Sequence, residues 1–195
     1  MSPRPRKASD DEIFAAAGRA MSKLGPAELT LAAIASEAGM TAGALVQRFG
    51  SRRQLLLSMT ARFAESAGDL IEQLRREHGS PLAAIRGYAD CMSAIASSPA
   101  VFARNLAYLQ IDLTDADFRR HLVAHARVTR RGLQQLVAAA MAAGELAQAT
   151  DAAGLARTIE AIVSGSMMTW AFYREGSAKR WMRKDLDAVL APHLP

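Results

Sequence analysis

The amino-acid sequence predicts an all-α protein. Apolar residues recur at intervals of three and four along an Ala- and Leu-rich chain, which is the period of a helix with one buried face. Alternating apolar and polar runs, the mark of strands, are scarce. Capping residues, prolines and glycines punctuate the chain where helices would start and stop.

Taken in order, Ser9-Asp10-Asp11-Glu12 is a capping-box pattern opening a helix with apolar positions at Ile13, Phe14, Ala17 and Met21, closed by Gly25-Pro26. Thr30 caps a short helix from Leu31 to Ala38 that stops at Gly39, and Thr41 caps another. Ser51 with Gln54 opens a long helix expected to run to about His78 before Gly79. Ser80-Pro81 and Ser98-Pro99 each place proline in a first turn, where its missing N–H costs little. Thr114 with Asp117 precedes a helix whose row Phe118, Leu122, Ala126, Thr129, Leu133, Leu136 and Ala140 steps by four and three until Gly144. Asp151 caps a helix reaching about Arg174, and Ser177 caps the last, giving nine helices.

Composition narrows the function classes. A chain of 195 residues, half of them hydrophobic, holds one sizeable core or two unequal parts. The net charge of +5 is a mild bias toward anionic partners. A single cysteine, Cys91, excludes an intramolecular disulfide and is read as a small buried hydrophobe in a cytoplasmic protein. No apolar run approaches the ~18 residues of a membrane span. His121 and His125 stand at metal-ligand spacing but lack an obvious third ligand, so no metal and no cofactor is expected. Neither a Gly-rich phosphate loop nor a Ser/His/acid grouping in motif context occurs, and an enzyme is not expected.

The informative stretch is LTLAAIASEAG followed by MTAGALVQRF, two short helices joined by a tight turn. Leu29, Ile34, Ala35, Ala38, Met40, Leu45 and Phe49 fall where crossed helices share a core, and Gly39 suits a left-handed turn. This is a helix-turn-helix, whose second helix enters the DNA major groove with its N-terminal residues at the base edges. No acid occurs between Glu37 and Glu65, whereas Arg48, Arg52, Arg53 and Arg62 do, and Arg4, Arg6 and Lys7 add a basic tail that can follow phosphates or the minor groove.

From the capped first helix through LTLAAIASEAGMTAGALVQRFGSRRQLL, the chain resembles the TetR-type family of transcriptional regulators, named for the tetracycline repressor. An Ile-Ala pair, an Ala-Gly-hydrophobic turn, a small-residue helix start, a Phe and a basic residue before Leu-Leu stand at the family's spacing. The resemblance implies a nine-helix TetR-like architecture, with residues 1–50 as the DNA-binding helix-turn-helix domain and 51–195 as a ligand-sensing and dimerisation domain. Expected DNA contacts are Thr30, Thr41, Ala42, Gly43, Ala44, Val46, Gln47, Arg48 and Arg52, with Arg4, Arg6 and Lys7. Two departures stand out: Val46 occupies the place of a usual phosphate-gripping tyrosine, and Arg52 that of a usual lysine.

The same resemblance implies a homodimer in which the last two long helices pair with their copies. In the helix from Ala152, the row Leu155, Ile159, Ile162, Ser166, Trp170 and Tyr173 suits a core. The row Thr158, Ala161, Gly165, Met168 and Phe172 suits the partner, joined by Trp181, Met182, Leu186 and Val189 from the final helix. A sensing pocket is expected among Phe63, Tyr88, Cys91, Met92, Phe102, Leu106, Gln110, Met167, Trp170 and Tyr173. The expected partners are double-stranded operator DNA, a second copy and an unknown small-molecule effector, without a membrane. The chain is thus read as a DNA-binding repressor released from a palindromic operator. Two alternatives stay open: an effector-free nucleoid or architectural DNA-binding protein, and a helical ligand-binding or scaffold protein without DNA binding.

Overall fold

A computed structural model describes residues 8–195, which form ten α-helices and no strand. They are α1 (Asp10–Lys23), α2 (Leu31–Glu37), α3 (Ala42–Phe49), α4 (Arg52–Glu65), α5 (Ala67–Glu77), α6 (Pro81–Ser93), α7 (Pro99–Thr114), α8 (Ala116–Ala142), α9 (Ala152–Tyr173) and α10 (Ala178–Leu190). The all-α reading is borne out, and the count differs by one because the long fourth helix is broken at Ser66. Its hydroxyl turns back to donate to the Phe63 carbonyl instead of capping the next helix, and α5 restarts at Ala67-Gly68. Hydroxyl side chains compete with helix continuation in this way. The start of α8 also differs from expectation. Thr114 ends α7 and donates to Gln110 and Ile111, while the Asp115 carboxylate accepts from the Asp117 N–H at 3.0 Å.

The chain divides into two compact units. The first holds the described residues up to Arg62 together with Ala103–Arg119. Its α1 opens with a complete capping box: the Ser9 N–H donates to Glu12 at 2.7 Å and the Glu12 N–H donates to the Ser9 hydroxyl at 3.2 Å. Ile13, Ala17, Leu29, Ile34, Leu45 and Leu55 are fully buried at its centre, with Tyr108 of α7 beside them. Side chains from α4 and α7 hold the α1–α2 connection by its carbonyls. Arg104 donates to Ser22 at 2.8 Å, Tyr108 to Leu24 at 3.0 Å, and Arg52 to both Pro26 at 3.1 Å and Leu29 at 2.5 Å. These bonds supply the donors that the carbonyls of an irregular segment cannot find within itself.

The second unit comprises Phe63–Phe102 and Arg120–Pro195. Helix α10 packs on α9 and α6, and α5 packs on α6. The core includes Ile71, Leu74, Ile85, Leu133, Leu136, Ile159, Val163, Met182 and Leu186. The row read on α8 is confirmed from Thr129 through Ala140, every member being buried from there on. A left-handed residue, Gly144 (φ 72°), ends α8, with the Glu145 N–H reaching back to Ala140 at 2.9 Å. The turn between α9 and α10 is held by both tryptophans, whose indole N–H groups donate to Gly176 (Trp170, 3.2 Å) and Glu175 (Trp181, 2.7 Å).

Substitutions at two positions test these contacts. A Cβ on Gly132 would lie 2.6 Å from Cγ1 of Ile71, a buried β-branched side chain with little freedom to move. Gly132→Ala is therefore expected to destabilise, the ~1–3 kcal/mol of overpacking outweighing the ~1 kcal/mol gained in helix propensity. A urea midpoint equal to or above the parent's would contradict the close α5–α8 approach. Arg52→Ala removes both carbonyl bonds and is expected to cost about 1–2 kcal/mol. Arg52→Lys recovers only part, since one ammonium lacks the guanidinium's fork.

Candidate nucleic-acid interface

Helix α3 owes its orientation to the turn before it. Gly39 adopts φ 64°, the Gly39 N–H donates to Ser36 at 3.3 Å and the Met40 N–H donates to Ala35 at 2.9 Å. This paired pattern around a left-handed glycine is a Schellman stop, which ends α2 and redirects the chain at once. Thr41 then caps α3, its hydroxyl oxygen accepting from the Ala44 N–H at 3.2 Å, as Thr30 caps α2 by accepting from Ala33 at 3.1 Å. Both hydroxyls keep their own hydrogen for an outside acceptor such as a phosphate oxygen.

The inward face of α3 is spent on packing: Leu45 is fully buried and Phe49 packs at the core's edge, tilted against Phe14 with ring centroids 5.9 Å apart. The outward face carries Thr41, Gly43, Val46 and Gln47, all exposed, with Ala42 and Ala44 half-buried beside them. Val46 is 48% exposed, so its apolar side chain is not a core residue that happens to break a pattern. Among the described residues no hydrogen-bonded partner holds Gln47, whose amide both donates and accepts.

The arginines behave differently from their sequence reading. Arg48 folds back to α1, where it pairs with Asp10 at 2.6 Å and donates to the Ala8 carbonyl at 2.6 Å. Arg52 grips the Pro26 and Leu29 carbonyls. Arg53 is clamped by Asp115 at 2.8 Å and Asp117 at 2.9 Å and lies over the Phe118 ring. These bonds hold the Asp115 carboxyl below its usual range and push the Arg53 guanidinium further up. Arg62 pairs with Asp11. Glu37, the acid bounding the acid-free stretch, is tied to Lys23 and Arg19, with Lys23 chiefly responsible for lowering its pKa. Of these cations only Arg52 is held by carbonyls alone, so its charge is not cancelled by a carboxylate. Arg4, Arg6 and Lys7 lie outside the described residues.

The expected pocket residues fall in both units. Leu106 and Gln110 belong to the first unit, and the other eight to the second. Tyr88, Phe102, Met167 and Trp170 are buried and Met92 is half-buried, but Phe63 is 53% and Tyr173 64% exposed. Tyr173 leaves the expected core row to stack on Trp181 at 5.5 Å. Cys91 is exposed rather than buried, and its thiol pKa is raised by partial desolvation and by the Asp90 and Glu77 carboxylates. Among the residues read as facing a partner, Thr158, Ala161, Gly165 and Phe172 are exposed and Met168, Trp181 and Val189 half-buried. Met182 and Leu186 are instead buried in their own unit's core, where α10 lies against α9 and α6. Two residues outside the expected pocket set make contacts of note: His125 stacks on Phe63 with centroids 4.3 Å apart, and Glu160 pairs with Arg130 at 2.6 Å. Among the described residues no three His, Cys, Asp or Glu side chains are grouped to hold a metal ion, and no helix is long and apolar enough to cross a membrane.

Comparison with solved structures finds the same fold. A TetR transcription regulator from Haloarcula marismortui matches with a TM-score of 0.77 at 19% identity, over 95% of this chain and 98% of that one. SmeT, the repressor of the Stenotrophomonas maltophilia multidrug efflux pump SmeDEF, matches with 0.68 at 22% identity over 97% and 92%. FadR from Bacillus subtilis, solved in complex with stearoyl-CoA, matches with 0.68 at 16% identity over 94% and 98%. A comparison with curated protein sequences finds no match. Two family models match the sequence itself: bacterial regulatory proteins of the tetR family over residues 13–59, and the tetracyclin repressor-like C-terminal domain over residues 106–186. With the helix-turn-helix inside the first match and the two together spanning more than half of the sequence, the chain belongs to the TetR family of transcriptional regulators.

Proposed function

We propose that this regulator is a cytoplasmic homodimeric repressor that leaves a roughly palindromic operator when a small molecule occupies its sensing domain. Residues 1–50 bind DNA in this reading, and residues 51–195 sense and dimerise. The observation that carries it is the split character of α3: one face fully committed to the core through Leu45, the other presenting Thr41, Gly43, Val46 and Gln47 to solvent. A helix anchored this firmly and bare at its N-terminal outer face suits insertion into a major groove. A two-fold dimer would set two such helices into successive grooves about 34 Å apart.

The exposed small-residue face of α9, Thr158, Ala161 and Gly165, supports pairing with a second copy, since small residues let backbones approach. Phe172, 73% exposed, extends that surface with an aromatic ring whose burial is favourable. Release would follow if the effector prefers a dimer whose α3 helices are wrongly spaced, and only to the extent of that preference. The neighbours SmeT, named as a repressor, and FadR, solved with a ligand, make the same kind of response a natural starting point.

Selection of bound fragments from genomic DNA tests the reading. Enrichment of a rough palindrome is expected; equally tight binding to random duplex would favour an architectural role instead. Gln47→Ala is expected to alter base preference by about 1–3 kcal/mol at one position per half-site. Val46→Tyr, which adds a hydroxyl at the edge of α3, is expected to tighten binding to all duplexes several-fold while leaving preference unchanged. A change in sequence preference from Val46→Tyr would place that residue on the bases and not on the backbone.

A further inference from the structure

What α3 can read on DNA depends on which of its side chains face outward and which are already engaged. Successive residues of a helix are turned by about 100°, so Gly43 and Gln47, two positions to either side of the buried Leu45, point about 160° away from the core. Both are exposed. The fold itself gives no reason for the glycine. Gly43 has no positive φ, and a Cβ built on it meets nothing within 4 Å. A glycine weakens a helix relative to alanine, and its remaining use is to let the backbone come close to something outside. It stands one turn ahead of Gln47, so bare backbone precedes the amide on the outer face.

The cations stand elsewhere. Guanine is read chiefly by arginine or lysine, whose donors meet O6 and N7. Helix α2, LAAIASE, contains neither residue, and α3 contains one, Arg48. Three positions after Leu45, Arg48 is turned only about 60° from the core direction, on the flank of α3 and not on its outer face. Its guanidinium is held there by Asp10 at 2.6 Å and by the Ala8 carbonyl at 2.6 Å. The next two, Arg52 and Arg53, belong to α4 and are engaged by the Pro26 and Leu29 carbonyls and by Asp115 with Asp117. The long side chain at the centre of the outer face is therefore an amide and not a guanidinium.

An amide both donates and accepts. Adenine offers the complement on its major-groove edge, an N6 amine that donates and an N7 that accepts, whereas guanine offers two acceptors, O6 and N7. Against guanine the Gln47 carbonyl oxygen would have no donor, and a desolvated acceptor left unpaired is unfavourable.

We propose that each operator half-site presents an adenine to Gln47, read through N6 and N7, that Gly43 lets α3 lie close enough for the amide to reach it, and that no arginine of the helix-turn-helix reads a guanine in the major groove. This rests on the DNA-binding reading above and adds the identity of the base.

Selection from a random duplex library with the full chain identifies the half-site, and affinities for the selected duplex test the contact. Gln47→Ala is expected to relax preference about tenfold at one A·T pair. Replacing that adenine with 7-deazaadenine, which pairs normally but lacks N7, is expected to weaken the parent about fivefold, the worth of one hydrogen bond, and to leave Gln47→Ala unaffected. Gln47→Arg, with two donors in place of a donor and an acceptor, is expected to move the preference at that pair from adenine to guanine. Gly43→Ala is expected to weaken operator binding several-fold without lowering the thermal midpoint, and Arg48→Ala to leave base preference as it is.

A G·C pair at the position relaxed by Gln47→Ala, an equal 7-deazaadenine effect in parent and variant, or an altered base preference in Arg48→Ala would overturn the contact and leave the operator reading in place. Operator affinity unchanged by Gly43→Ala would refute the close approach. Failure to enrich any sequence would overturn the operator reading and the contact together.

Discussion

The DNA-facing geometry depends on one constraint: α3 must be pinned to the core through Leu45 while the turn at Gly39 sets its direction. Leu45 lies fully buried in the same cluster as Leu29, Ile34 and Ala35, and burying such a side chain is worth about 1.5–3 kcal/mol. A helix of eight residues has too few internal bonds to persist alone. Its stability therefore derives from this anchor and from the Thr41 cap. The left-handed Gly39 makes the redirection possible within a few residues, a backbone state that a side chain would penalise. Rigid support on one face leaves Gly43, Val46 and Gln47 of the other free of any part in packing.

Among the described residues of this unit, positive charge is largely occupied. Arg48 is bound by Asp10, Arg53 by Asp115 and Asp117, and Arg62 by Asp11. Each pair is solvent-exposed and worth little to stability. Their effect is electrostatic and geometric instead: each acid reduces the field its arginine presents to a polyanion and fixes where the guanidinium sits. Arg52 differs, because its partners are carbonyls; it keeps its charge while bracing the segment that leads into α2.

How much of the structure is legible in the sequence depends on the range of the interactions. Caps and stops act within a few residues, so Ser9, Thr30, Thr41, Gly39 and Gly144 can be read directly, as can the helix-turn-helix. Ser66 escapes such a reading because its hydroxyl can support a helix or turn back on it, and periodicity on both sides continues regardless. The arginine partners lie far along the chain, Asp115 being 62 residues from Arg53, and a local count of acids cannot find them. Helical spacing groups Tyr173 with the core, yet it lies next to Arg174, a left-handed residue where α9 ends, and its ring turns outward. The contacts of His125 with Phe63 and of Glu160 with Arg130 escape it as well, since polar residues on a helix are read as solvated unless their neighbours across the bundle are known.

The turn between α9 and α10 has an optical consequence. The chain's two tryptophans are Trp170 and Trp181, and both donate their indole N–H groups to consecutive carbonyls of that turn. Their emission therefore reports the polarity of one corner of the second unit. The unit carrying α3 contains no tryptophan among its described residues, and in this signal it is dark: its loosening or refolding would leave the fluorescence of Trp170 and Trp181 to speak for another part of the molecule.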